Sequence, residues 1–368
     1  MTDQRWHDLG DAAELAKKPL QPALVGRTKV ALSFAAGSFG VIHNTCNHAG
    51  GPLGEGTLDG DYVVCPWHNY KFHRLTGEGE PGYEDDRVPR FEFKVEAGCL
   101  LVRDAAVTTR NKPAHDPHPL DRDTARVPGP LRVVGISTTN MDNANPRYST
   151  SEALLESALE HVRGKHALEA RMVKLRELSF RACEGYYSKS ARACTWPCSI
   201  SQMDADDGMN TVYDNLVFWA DVVLVATPIR WGAASSLYFK MAERLNTVQN
   251  QITLRDRVML KNKVAGFIVI GGQDNIQAVA GQMLQFFSEL GMQFPQFPYI
   301  AHSRGWTAED MERNVEFVKH SEALHEAARA LADRCLDLAA RLQISEAPEF
   351  VRAGRKASGM GRQPEPKA

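Results

Sequence analysis

The sequence predicts two domains of different classes, a small antiparallel all-β domain followed by an α/β domain built on a doubly wound parallel sheet. Three observations carry this. Residues 1–104 alternate short apolar runs with Gly and Pro turns, the pattern of strands in a small β structure. Residues 131–345 alternate apolar runs with segments of helical periodicity, the pattern of a parallel sheet covered on both faces. Between them, over 105–130, periodicity disappears while Pro113, Pro117, Pro119, Pro128 and Pro130 accumulate, which marks a linker able to wrap across a domain. A flexible tail is expected over 346–368, where Pro, Gly and charge dominate.

With 368 residues, 43% of them hydrophobic, the chain can bury a core in each domain. A formal charge of −2 with no long basic run gives no electrostatic reason to expect nucleic acid or an anionic membrane as partner. The stretch Met1 to Leu20 is polar, without the apolar centre of a signal peptide, and no stretch reaches the roughly 18 apolar residues of a membrane span. A cytoplasmic location is the expectation. Seven cysteines are too sparse for a disulfide scaffold, so reduced thiols or metal ligands are expected.

In the first domain the strands are expected at Val30-Ala31-Leu32, Gly40 to His43, Tyr62-Val63-Val64, Phe91 to Val95 and Leu100-Leu101-Val102. Cys99, after Gly98, is expected in a turn with a structural role. The chemistry lies between these runs. Cys46-Asn-His48 is followed, after sixteen turn-rich residues, by Cys65-Pro-Trp-His68, so two loops each bring one thiol and one imidazole. Gly50, Gly51, Pro52, Gly54, Gly56 and Gly60 suit tight loops folded over an inorganic core. Two cysteines and two histidines can also hold zinc, although Cys-x-His is not the spacing of a zinc finger.

These residues resemble the Rieske iron-sulfur family, with Tyr70-Lys71-Phe72 and Thr76-Gly77 adding the look of its ferredoxin and oxygenase branch. The resemblance implies that Cys46 and Cys65 hold one iron of a [2Fe-2S] cluster while His48 and His68 hold the other. Gly51 and Trp67 stand where high-potential relatives carry a disulfide, which implies a potential on the order of −150 mV, suited to exchange with flavin. Asn69 and His73 stand where relatives more often have Gly and Asp.

In the second domain Leu131 to Ile136 reads as a strand, followed by a hydroxyl-rich loop and a helix bearing Leu154, Leu155, Ala158, Leu159 and Val162 on one face. Further strands are expected at Arg171 to Leu175, Asp221 to Ala226 and Val264 to Ile270, with helices over Val212 to Trp219, Ser235 to Val248 and Ile276 to Leu290. Thr307 and Asp310 cap a long helical region. Ligands of such sheets bind at the carboxyl ends of the strands. There, Ser137, Thr138, Thr139, Asn140, Ser149, Thr150 and Ser151 either cradle a phosphate or simply cap the helix. Neither a P-loop nor a Gly-x-Gly-x-x-Gly fingerprint is present, so a monophosphate such as that of FMN fits better than a triphosphate. His115 and His118, among Pro and Asp, are expected to be solvated.

Together with Ala226 to Gly232, Lys240 and the Ile270-Gly271-Gly272-Gln273-Asp274 loop, this region resembles the NADPH-dependent FMN reductase and iron-sulfur flavoprotein group, with a flavodoxin-like fold. The resemblance implies that Ser137, Thr138, Thr139, Ser149, Thr150 and Ser151 hold the FMN phosphate. Pro228, Ile229, Arg230, Trp231 and Gly232 would lie along the isoalloxazine and Gly271, Gly272 and Gln273 at its other edge, with Arg230 as a fixed cation or a surface residue. Cys183, Cys194 and Cys198 depart from that group's compact cysteine motif, so buried or redox-sensitive thiols are expected rather than a second cluster. Tyr186, Tyr187, Trp196, Pro197 and Met203 are expected to form a lid or a subunit contact beside the flavin, where aromatics would exclude water. The function implied is an oxidoreductase moving electrons between NAD(P)H, FMN and the Rieske cluster, and on to or from a partner protein or small organic acceptor, as a homodimer or homotetramer. The alternatives are a non-catalytic redox carrier or sensor using Cys183, Cys194 and Cys198, or a chain whose Rieske half alone works.

Overall fold

The computed structural model describes residues 5–113, 117–165, 168–271, 275–305 and 307–344. Two compact units emerge: Met1–Arg122 with Cys183–Ala205 and Thr253–Arg255, and Asp123–Ala182 with Asp206–Ile252 and Asp256–Ala368. The second of these three pieces, Cys183–Ala205, interrupts the α/β half of the sequence yet folds with the β half.

Among the described residues the first unit holds nine strands: β1 (Trp6–Asp11), β2 (Leu20–Val25), β3 (Thr28–Ala35), β4 (Ser38–His43), β5 (Thr57–Asp59), β6 (Tyr62–Val64), β7 (Lys71–His73), β8 (Phe91–Glu96) and β9 (Cys99–Ala106). They pair antiparallel in three small sheets, β2-β3-β4, β1-β9-β8 and β5-β6-β7. Alternate residues Val30, Leu32, Phe39, Val41, Leu100 and Val102 meet in one buried core, as period-two side chains on facing sheets require. The strands at Trp6–Asp11, Leu20–Val25, Thr57–Asp59 and Lys71–His73 were not expected; each is short or polar, and pairing with a neighbour rather than its own pattern makes it a strand. Cys99 is not in a turn. A two-residue turn at Ala97-Gly98, both at positive φ, leaves Cys99 as the first paired residue of β9, opposite Asp11 and Glu96.

The stretch read as linker is anchored at both ends. β9 runs on to Ala106, Asn111 exchanges two backbone bonds of 2.9 Å with Arg87, and Arg126 forms a 2.6 Å ion pair with Asp221 in the second unit. His115 lies outside the described residues, as does the expected tail; His118 accepts from the Leu120 amide at 3.2 Å.

The second unit carries β10 (Leu131–Ser137), β11 (Leu168–Lys174), β12 (Val222–Pro228), β13 (Val264–Gly271) and β14 (Tyr299–Ser303). All pair parallel in the order β11-β10-β12-β13-β14, a doubly wound, flavodoxin-like sheet. β14, Tyr-Ile-Ala-His-Ser, escaped notice because an edge strand of mixed polarity has no apolar run. The helix Thr150–Arg163 packs Leu154, Leu155, Ala158, Leu159 and Val162 against Val133, Leu224 and the helix Glu322–Ile344. Gly135 permits this approach, since a Cβ there would sit 2.7 Å from Leu159 Cδ1. On the other face Phe267 meets Phe287 of the helix Ile276–Glu289, ring centroids 5.4 Å apart. The helix expected over Ser235 to Val248 is two, Ser236–Arg244 and Asn246–Arg255, divided at Leu245. Among the described residues no helix is long and apolar enough to cross a membrane.

Candidate functional site

The first unit builds its site from two loops with one hydrogen-bond scheme. The loop after β4 closes with Cys46 N–H donating to Gly51 O at 2.9 Å and Gly50 N–H donating to Cys46 O at 3.1 Å. The loop after β6 repeats it: Cys65 N–H donates to Tyr70 O at 2.7 Å, and Asn69 N–H donates to Cys65 O at 3.0 Å. In both, the fourth residue after the cysteine takes a left-handed conformation, Gly50 at φ 83° and Asn69 at φ 62°. Asn is the non-glycine residue that tolerates this best, so its presence in place of Gly leaves the loop intact.

These loops bring together all four donors read from the sequence. Cys46 and Cys65 are buried side by side, and His48 Nδ1 lies 2.9 Å from His68 Nδ1. The donors thus fall into a thiol pair and an imidazole pair, and among the described residues no three His, Cys, Asp or Glu side chains group around one point as a single ion would need. Such an arrangement suits a two-iron cluster with a different ligand pair at each iron better than one tetrahedral zinc. A hydrogen bond from Cys46 to Cys65 pushes the Cys46 thiol up and lowers Cys65 to about 7, with the Trp67 and His68 amides and the Lys189 charge assisting. Burial and the neighbouring His68 lower His48 to about 4; burial likewise lowers His68. Neutral imidazole is the form that binds metal. Gly51 and Trp67 do face each other: a Cβ at Gly51 would lie 2.6 Å from Cys65 Sγ and 3.2 Å from the indole, so Trp67 fills the space a bridge would need.

Around the first loop Asn47 donates to Arg87 O at 3.2 Å, to Asn111 O at 2.9 Å and to Asp86, while Arg110 donates to Asn47, to Thr45 O at 3.0 Å and to His43 at 2.9 Å. Tyr70 stacks on His48, centroids 4.5 Å apart and planes within 12°. Around the second loop the support comes from Cys183–Ala205. His68 Nε2 meets Ala193 O at 2.6 Å, Lys189 Nζ donates to Pro66 O, and Tyr186 sets its ring edge-on to His68 at 5.0 Å. Gln202 of the same segment bonds to His48. The sequence suggests a lid or subunit contact beside the flavin for these aromatics, whereas Tyr186 packs on His68 instead; Lys189 and Ala193 have no such signal, because no spacing links positions some 120 residues apart. Cys183, Cys194 and Cys198 lie in this segment, half-buried.

The second unit places its candidate residues at the carboxyl ends of the adjacent strands β10, β12 and β13. Ser137 Oγ donates to Glu152 at 2.8 Å, and Ser235 Oγ lies 2.6 Å from Thr138 O and 2.9 Å from the Thr138 hydroxyl. Those two hydroxyl positions are therefore engaged within the protein. Thr139 Oγ1 stands 2.9 Å from Ser149 Oγ and 3.2 Å from Ser151 Oγ, a hydroxyl triplet at the helix N-terminus, beside half-buried Thr150. Ser149 is the N-cap, accepting from the Glu152 amide. Glu152 itself is ion-paired to Arg176 and Lys174; despite burial, these partners and Ser137 hold its carboxyl down at about 2.

Pro228 ends β12, and Ile229 lies buried against Gly271, where a Cβ would come within 2.6 Å. Arg230 and Ala233 exchange backbone bonds of 2.8 and 3.0 Å, a tight turn that leaves Arg230 exposed and Trp231 92% exposed at φ 51°, with Gly232 at φ 71°. Gly272 and Gln273 lie outside the described residues. Lys240 Nζ stacks over Phe180 at 4.5 Å. Of the next two residues, Asn140 was read as part of the hydroxyl loop and Arg147 was not read. Asn140 donates to Ser236 at 2.8 Å while its Oδ1 is buried with no partner among the described residues, and Arg147, the sole cation of the 138–149 loop, sits exposed two residues before the N-cap. An orphaned acceptor and a cation beside a hydroxyl triplet fit a phosphorylated ligand with polar edges.

The fold and the candidate sites are those of a redox protein with two cofactor domains. Residues 5–92 match the Rieske [2Fe-2S] domain and residues 131–307 match NADPH-dependent FMN reductase. Among curated relatives, the ferredoxin CarAc of Metapseudomonas resinovorans is 38% identical over 80 residues, 21% of this chain and 73% of that protein. The oxygenase component of 3-ketosteroid-9-alpha-monooxygenase of Mycobacterium tuberculosis is 38% identical over 68 residues, so that this chain spans only 18% of its length. Apoptosis-inducing factor 3 of Homo sapiens is 32% identical over 90 residues, 15% of its length. Among solved structures, RosB with its bound intermediate 8-demethyl-8-formylriboflavin-5'-phosphate aligns at TM-score 0.48 and 20% identity, over 62% of this chain and 86% of that one. The chain belongs to the Rieske [2Fe-2S] family through its first domain, joined to a flavodoxin-like domain of the NADPH-dependent FMN reductase type. Its cofactors are accordingly a Rieske cluster and FMN.

Proposed function

We propose that this chain is an FMN-dependent NAD(P)H oxidoreductase that takes two electrons as hydride from a reduced nicotinamide and exchanges them singly, through the Rieske cluster, with a partner protein or a small organic acceptor. When bound, FMN supplies the exchange between two-electron and one-electron steps, and the cluster supplies a one-electron store. The observation that supports this best is the donor set of the first unit, two buried thiols and two facing imidazole Nδ1 atoms, in a chain that also carries an FMN reductase domain.

In this reading Cys46 and Cys65 hold one iron and His48 and His68 the other. Tyr70, Trp67 and Leu53 exclude water from the donors. Thr139, Ser149 and Ser151 bind the FMN phosphate with the free amides of the first helical turn, and Arg147 adds charge. Ile229 and Gly271 form a flat apolar edge for the ring system. Arg230 supplies a fixed cation that favours reduced, anionic flavin.

The test is an anaerobic titration of the purified protein with NADH and with NADPH, followed by optical and EPR spectroscopy. Bleaching of the flavin band together with appearance of the signal of a reduced mixed-ligand [2Fe-2S] centre is the expected result. A protein containing both cofactors whose cluster neither nucleotide reduces would overturn the reading.

A further inference from the structure

We propose that the segment Cys183–Ala205 is part of the cluster site, and that Lys189 is a positioning residue that raises the reduction potential of the cluster through its fixed charge. The inference rests on the reading of Cys46, His48, Cys65 and His68 as cluster ligands. It goes beyond that reading because no residue after 92 belongs to the Rieske match.

Two contacts hold the segment on the second loop. Ala193 O, a pure acceptor, meets His68 Nε2 at 2.6 Å and so requires the proton on that nitrogen, leaving Nδ1 with its lone pair toward the ligand pair. Ala193 is fully buried and His68 is 2% exposed, so water does not compete for this bond. Lys189 Nζ donates to Pro66 O, inside the Cys65 to His68 loop, and lies 5.5 Å from the centroid of Tyr186, whose ring edge meets His68. The ammonium is thereby tied to the loop that carries one thiol and one imidazole.

Charge counting sets the direction. Two ferric ions, two sulfides, two thiolates and two neutral imidazoles sum to zero, so one-electron reduction leaves a net negative charge. A cation held beside the loop stabilises that reduced state; Lys189 is itself exposed, so solvent screens part of its charge and the tie to Pro66 O is what keeps it near the loop. The hydrogen bond from His68 to Ala193 works the other way by enriching the imidazole, but it is a dipole against a full charge, so the lysine term prevails.

The test is a redox titration of the full chain, following the cluster by EPR, for the wild type, Lys189→Met, Lys189→Gln, Lys189→Arg and Arg192→Met. Arg192 is exposed on the same segment and controls for loss of a surface charge. Iron, sulfide and the EPR signature of each protein are measured first: their absence from the wild type would sink the ligand reading itself. With the cluster present, Lys189→Met and Lys189→Gln are expected to lower the potential by on the order of a tenfold change in the reduced-to-oxidised ratio, about 59 mV for one electron. Lys189→Arg should restore most of it, and Arg192→Met should leave it unchanged. Equal potentials in wild type and Lys189→Met would overturn the proposal. So would failure of both neutral variants to take up the cluster while Arg192→Met loads normally, which would assign Lys189 a packing role.

Discussion

The two loops of the cluster site share a backbone scheme and differ in what surrounds them. The loop carrying Cys46 and His48 is held mainly by Asp86, Arg87, Arg110 and Asn111, residues of the same β domain, with Gln202 alone reaching His48 from the later segment. The loop carrying Cys65 and His68 is held by Ala193 and Lys189, which arrive from within the α/β half of the sequence. The backbone scheme follows from local rules, since a left-handed residue four positions after each cysteine turns the chain back on itself. The outer support has no such rule. A site can therefore be half local and half imported, and the imported half is where one member of a family can differ from another.

The largest expected effect tests whether the loops contribute equally to ligation. Cys46→Ser and Cys65→Ser should each reduce bound iron and labile sulfide nearly to zero, because a serine hydroxyl stays protonated where a thiolate would bind. If one variant kept most of its iron, the symmetry between the loops would be broken. The next largest concerns the support of the first loop. Asn47→Ala removes donors to three acceptors and leaves buried Asp86 short of a partner, at a cost of about 2–3 kcal/mol in denaturant unfolding.

Carrying the comparison to the second unit, Glu152 does for the hydroxyl loop what Asn47 does for the first cluster loop, but by charge. Its folded pKa, about 2, lies below the usual carboxylate value, so its contribution is present above the unfolded pKa and is lost as pH falls through about 2. Glu152→Gln should cost roughly 2 kcal/mol at neutral pH, less than the full shift implies because solvent reaches part of the pair. The gap to wild type should close as pH drops from about 4.5 toward 2. A gap independent of pH, measured by unfolding at several pH values, would mean that packing rather than the ion pairs with Arg176 and Lys174 holds the loop. The smallest effect sharpens the symmetry of the loops: Asn69→Gly should change stability by under about 0.5 kcal/mol, whereas Asn69→Val should cost about 1–2 kcal/mol, because a β-branched residue resists φ near 62°.

Much of the architecture was legible from pattern. The apolar runs at Val30 to Leu32, Gly40 to His43 and Leu131 to Ile136 became buried strands because alternation and length report burial directly. Short or mixed strands such as Lys71–His73 and Tyr299–Ser303 were not legible, since their strand character comes from the neighbour they pair with. In the hydroxyl loop the residue types were visible, yet their division of labour was not: Ser137 and Thr138 turn inward to Glu152 and Ser235, while Thr139, Ser149 and Ser151 cluster together.

Taken alone, the order of residues determined the class of each domain and picked out two Cys-His pairs and a hydroxyl-rich loop at the strand ends as candidate sites, because spacing and periodicity are properties of contiguous chain. Only the tertiary structure decided that Cys183–Ala205 leaves the α/β unit to close over His68, and that the Pro-rich stretch folds back through Asn111 onto Arg87. Those choices depend on satisfying buried donors and acceptors across more than a hundred positions, and no local pattern encodes which distant carbonyl an imidazole will find.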